Sequence, residues 1–93
     1  MKAVLKFPLE VVDRQSVPMP AGAEILYVEM QHGKPTLWAL CSDTEQSDLR
    51  KIAIRGTGHP ISADLVTKEQ NYIGTCIDRE RGLVWHVFEG ELE

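Results

Sequence analysis

The chain has little of what usually announces a specialised function. Only two cysteines, Cys41 and Cys76, occur in its 93 residues. They show no CxxC spacing and no histidine at zinc-ligand distance, so neither a disulfide framework nor a structural zinc site is supported. Both lie inside apolar runs, which predicts buried free thiols. No apolar stretch approaches the length of a membrane-spanning helix. The segment Met1 to Lys6 is too short and too charged for a secretory signal, so the expected compartment is the cytoplasm. Basic charge is not in excess either: 14 acidic against 10 basic side chains give a net charge of −4. That weighs against nonspecific binding to a phosphate backbone. The acidic excess is also too mild for a duplex mimic, because Arg50, Lys51 and Arg55 interrupt the acids in mid-chain. Internal repeats and low-complexity tracts are absent.

What remains is ordinary globular composition, 43% hydrophobic and 26% charged. A chain of this length builds one domain, residues 1–93, and can bury about two thirds of its unfolded surface. Its apolar periodicity is two rather than 3.6, so strands dominate. Lys2 to Phe7 predicts a first strand ended by Pro8. Between Leu9 and Pro20 the pattern suggests a short second strand leading into an extended stretch fixed by Pro18 and Pro20. Glu24 to Gln31 and Thr36 to Ser42 form a hairpin around His32-Gly33-Lys34-Pro35. Leu26, Val28 and Met30 share one side of its first run, and Leu37, Ala39 and Cys41 one side of its second. Ile25, Tyr27, Trp38 and Leu40 make the other side apolar too, which predicts a central hairpin covered by neighbours.

Ser42 to Asp48 is a polar, exposed connection. Leu49 to Gly56 alternates, with Ile52 and Ile54 inward and Lys51, Ala53 and Arg55 outward. Ile61 to Gln70 is the one place for a short helix, with Ser62 as the cap of a turn or two through Val66. Tyr72 to Asp78 and Leu83 to Glu89 close the chain as a second hairpin. The expected fold is therefore mainly β: antiparallel hairpins in a small sandwich or open barrel of about six strands, with at most one short helix.

Candidate chemistry concentrates in Gly56-Thr57-Gly58-His59-Pro60. This is neither a Walker loop nor a dinucleotide fingerprint, because the required spacing and following helix are missing. Read blandly, it is a turn that glycine permits. Read functionally, the bent Gly-Thr-Gly backbone offers N–H groups to an anion, with Arg55, Thr57, Gly58 and His59 as lining. Trp38 and Trp85 are either core side chains or, if exposed, interface anchors and stacking walls for a base. His32, His59 and His86 have no short ligand spacing, so no metal ligands are assigned, and no cofactor is implied. No nucleophile elbow or cysteine-protease signature surrounds Cys41 or Ser42.

Lys6-Phe7-Pro8-Leu9, Met19 to Leu26, Gly33 to Leu40, Gly56 to Ile61, Tyr72 to Thr75 and Leu83 to Glu89 together resemble an uncharacterised family of short proteins encoded by bacteriophages and prophages. The resemblance implies a phage-type accessory protein of one domain, without catalytic residues to carry over. The expected function is noncatalytic binding inside an infected or lysogenic bacterium, modulating a host process such as an antiphage defence system. The partner would be a host protein or a small anionic nucleotide signal, with a homo-oligomer as one way to build a pocket. The alternatives are a small hydrolase acting on a phosphorylated or nucleotide ligand through His59 or His86, and a structural phage component.

Overall fold

The alternation of period two resolves into seven strands in the computed structural model, which describes residues 1–61 and 72–90. They are β1 (Lys2–Pro8), β2 (Arg14–Pro20), β3 (Glu24–Gln31), β4 (Lys34–Ser42), β5 (Ser47–Gly56), β6 (Tyr72–Asp78) and β7 (Leu83–Glu89). Two open antiparallel sheets result, ordered β1-β4-β3 and β2-β5-β7-β6. Their facing sides share one core. Val28, Leu37, Ala39 and Cys41 from the first sheet meet Val17, Met19, Ile52, Ile54, Cys76 and Val87 from the second. The sandwich arrangement and its antiparallel hairpins match the expectation. The short helix placed at Ser62 to Val66 lies outside the described residues.

The seventh strand is the proline-bearing stretch itself. Val11 and Val12 are exposed loop residues, and β2 runs through Pro18 and Pro20. Proline is tolerated there because of parity. The Ala21 N–H donates to the Gln46 carbonyl and the Ile54 N–H to the Asp13 carbonyl, both in the β2–β5 register. Odd-numbered β2 residues therefore carry the ladder, and the missing N–H groups of Pro18 and Pro20 fall on the free edge.

Further expectations are corrected. The hairpin loop shrinks to His32-Gly33, since Gln31 pairs with Lys34. Both turn residues have positive φ, 52° and 78°, as a type I′ turn requires. Strand β3 is an edge strand rather than a central one, and its outward face has no covering layer among the described residues. A bulge between Ile25 and Tyr27 shifts its alternation. Ile25 thereby joins Val28 and Met30 on the core side, while Leu26 is left 48% exposed. Ala53 is buried rather than solvated, because Ile61 folds back over Ala53 and Phe88 on the far side of the second sheet. The connection after β4 is exposed as expected, although Ser47 and Asp48 already belong to β5.

At one side of the sandwich β3 and β6 run next to each other. Gly74 permits this approach: a Cβ built there would come within 2.9 Å of Val28 Cγ1.

Candidate functional site

Strand β5 delivers the glycine turn at its C-terminal end, and the turn is closed by its own backbone. The His59 N–H donates to the Gly56 carbonyl at 3.1 Å, and Gly58 has φ of 88°. This fits a type II turn, whose third residue needs positive φ. The His59 amide is thus committed within the turn. Gly56 pairs with Trp85, and an added Cβ would meet His59 Cε1 at 2.9 Å and Trp85 Cζ3 at 3.3 Å. The imidazole and the indole therefore converge over Gly56 on the core side of the sheet. Trp85 packs against the core, with its indole nitrogen buried and without a hydrogen-bond partner among the described residues.

Arg55 and Thr57 fall on the opposite, outward side. Arg55 Nη1 donates to the Asp13 carbonyl at 2.7 Å and to the Ile54 carbonyl at 2.9 Å, and lies 3.8 Å from the Asp13 carboxylate. It ties the entrance of β2 to β5. Thr57 Oγ1 lies 2.7 Å from His86 Nε2. The other ring nitrogen, Nδ1, is 3.3 Å from the Tyr72 hydroxyl and 3.4 Å from Thr75 Oγ1, and those two hydroxyls are bonded to each other. A polar row thus crosses the outward face of the second sheet. Sequence reasoning named Thr57 and His86 but missed Tyr72 and Thr75. The signal for Thr75 was the β6–β7 register, which sets it opposite His86.

Trp38 is not brought to this turn. It sits on β4, facing away from the core of the first sheet, with its ring centroid 6.3 Å from that of Tyr27. Across the same face Val4 lies opposite Leu40 and Lys6 opposite Trp38. Tyr27 is 56% and Val4 53% exposed. Lys6 Nζ donates to Gln31 Oε1 at 2.8 Å, bridging the strands on either side of β4. The result is an aromatic and aliphatic surface, exposed at Tyr27 and Val4 and half-buried at Trp38 and Leu40, with the β1 lysines along one margin.

A cleft of about 390 Å³ was not anticipated. Gly22 to Leu26, Tyr72 and Ile73 line it together with Arg50 and Glu89. Arg50 donates from Nε and Nη2 to the Glu89 carboxylate and from Nη1 to the Ala23 carbonyl at 2.6 Å. The carboxylate, as hydrogen-bond partner, holds the guanidinium pKa above its ordinary value. Because the two charges satisfy each other, the cleft offers little to an external anion.

Both cysteines are buried free thiols, as expected. Burial pushes the Cys76 pKa up to about 11, with the Glu29 charge adding to the rise. At neutral pH it is an inert thiol rather than a nucleophile. Among the described residues no three His, Cys, Asp or Glu side chains gather as metal ligands. No helix among them is long and apolar enough to cross a membrane.

Fold and surface together define a small antiparallel β-sandwich domain whose three-stranded sheet carries an aromatic pair on an outward face that no layer covers among the described residues. The chain belongs to the DUF7352 family, a domain of unknown function whose family pattern matches residues 1–93. No curated protein and no solved structure matches it.

Proposed function

We propose that this chain is a noncatalytic binding protein that docks a protein partner on the outward face of its three-stranded sheet. The Tyr27–Trp38 pair, exposed at Tyr27 and half-buried at Trp38, with exposed Val4 and half-buried Leu40 beside it, supports this reading. Aromatic side chains on a flat, uncovered face are the anchors that protein interfaces use most. The resemblance to short phage and prophage proteins supports the setting: an accessory protein in the cytoplasm of an infected or lysogenic bacterium, acting on a host protein such as a component of antiphage defence.

The nucleotide reading needs Arg55, Thr57, Gly58, His59, Trp38 and Trp85 as one lining. Within one chain Trp38 lies in the other sheet, the His59 amide is used inside the turn, and Arg55 is held by backbone carbonyls. Only assembly of two chains would reunite the set. The hydrolase alternative draws on one observation, the 2.7 Å contact between Thr57 Oγ1 and His86 Nε2. That distance suits a hydroxyl and its general base. The pair lies on an open sheet face, however, with hydroxyls rather than a carboxylate at Nδ1, which favours the binding reading.

Native mass spectrometry of the purified protein after exposure to an infected-cell lysate tests the proposal. A retained host protein that is lost with Tyr27→Ser or Trp38→Ala is the expected result. A retained nucleotide, lost when Arg55→Ala and His59→Ala are combined, would replace it with the ligand reading.

A further inference from the structure

Among the described residues four strand edges bound the two sheets, and three of them are obstructed for an incoming strand. Those of β3 and β6 face each other at the Val28–Gly74 contact. That of β2 carries Pro18 and Pro20 where outward N–H groups would be. The edge of β1 is different. The Leu9 N–H donates to the Pro35 carbonyl and the Asp43 N–H to the Met1 carbonyl, both continuing the β1–β4 register. Odd-numbered residues of β1 therefore bond to β4, and even-numbered ones point their backbone groups away from it. Lys2, Val4 and Lys6 each present an N–H and C=O along one line that no strand among the described residues pairs with, and Pro8 ends the line because it has no N–H.

The side chains on this edge are also unprotected. Val4 is 53% exposed on the outward face and Leu5 44% exposed on the other. A strand added here would bury both while extending the sheet that carries Tyr27 and Trp38. We infer that the β1 edge is a strand-addition site for an extended segment of a partner protein, with carboxylates two residues to either side of its centre and apolar side chains between them. Charge complementarity selects that occupant. In an antiparallel pairing centred on Val4, the partner residues opposite Lys2 and Lys6 are four apart on one face, where acidic side chains meet the ammonium groups. A second copy of this chain fits poorly. Centring β1 on β1 sets Lys2 against Lys6 twice, and sliding by two residues sets Lys2 against Pro8 and loses a bond. The lysines thus repel the chain's own edge while attracting an acidic strand. This rests on the reading that the partner is a protein, and adds how part of that partner is held.

The test uses the full chain and a capped synthetic peptide, Thr-Glu-Val-Thr-Val-Glu-Thr, with a control carrying Lys at both Glu positions. Titration followed by amide NMR is expected to move the Val4, Lys2 and Lys6 resonances, with the control weaker by about ten-fold or more. Val4→Pro removes an outward N–H that β4 does not use, so it should block the edge. Its fold is verified by retained amide dispersion. Combined Lys2→Glu and Lys6→Glu, which leaves the backbone edge intact, should reverse the preference between the two peptides. Equal affinity for both peptides, absence of binding, or binding that survives Val4→Pro would overturn the proposal. So would concentration-dependent dimerisation abolished by Val4→Pro, which would give the edge to a second copy. Failure here leaves the lysate experiment on Tyr27 and Trp38 independent, since that reads the aromatic face and not the edge.

Discussion

The Arg50 guanidinium grips the Glu89 carboxylate through two nitrogens and uses its third to hold the Ala23 carbonyl, joining β5, β7 and the start of β3. Both side chains are largely shielded, 21% and 29% exposed. Removing one partner strands the other in a poorly hydrated place. Arg50→Ala is therefore expected to cost about 2–3 kcal/mol, more than an exposed ion pair would. Urea denaturation measures it, and a loss no larger than that of Lys34→Ala, whose pair with Glu10 is exposed, would contradict this role.

Gly74 and Val28 set how closely β6 approaches β3. Gly74→Ala places a methyl group 2.9 Å from Val28 Cγ1, an overpacking expected to cost about 1–3 kcal/mol. Val28→Ala alone should cost about 2 kcal/mol by opening a cavity. Together they should cost less than their sum, because the new methyl occupies part of the space vacated. Additive losses in the double variant would show that the two residues do not limit each other.

Asp78 is buried at the end of β6, where the last hairpin turns, and accepts bonds from the Arg81 guanidinium at 2.9 Å and the Arg81 N–H at 3.2 Å. The Arg81 hydrogen bond, ahead of its charge, holds the Asp78 carboxyl below its ordinary pKa. The carboxylate thus stabilises the fold in full above about pH 4, near the unfolded value, and progressively less as pH falls through the lower folded value. The gap in urea midpoint between wild type and Asp78→Asn should be constant from pH 7 to about pH 4 and close below that. A gap that widens on acidification would reverse the sign of the effect.

His32 is the one non-glycine residue among those described with positive φ. Asparagine tolerates that conformation better and suits the first central position of a type I′ turn. His32→Asn should raise stability by about 0.5 kcal/mol, read as a higher urea midpoint with unchanged slope, whereas a lower midpoint would mean that the imidazole itself holds the turn.

Strand identity was legible wherever alternation was unbroken, as in β4, where Leu37, Ala39 and Cys41 are all buried. It misled where tertiary context overrode the pattern. The bulge beside Leu26 transfers Ile25 to the core side, and no local residue type announces it. Ala53 reads as solvated until Ile61 is known to return over it. Pro18 and Pro20 read as fixing an extended stretch beyond a short strand, and that they belong to the paired strand itself depends on which β2 residues face β5, a property of the pairing. Gly56, Thr57 and His59 were seen as one motif, yet the strand's alternation sends the His59 ring to one side and Thr57 to the other. The Arg50–Glu89 clasp could not be found at all, since its partners are 39 positions apart and meet only through the β5–β7 pairing.

The most direct test of the binding face is affinity for the retained host protein, compared between Tyr27→Ser with Trp38→Ala and the turn variants Arg55→Ala with His59→Ala. If the outward aromatic face is the docking surface, the first pair weakens binding by about a hundred-fold, as loss of two central anchors does, and the second leaves it within about two-fold. Binding that tolerates loss of both rings but fails with the turn variants would contradict that assignment.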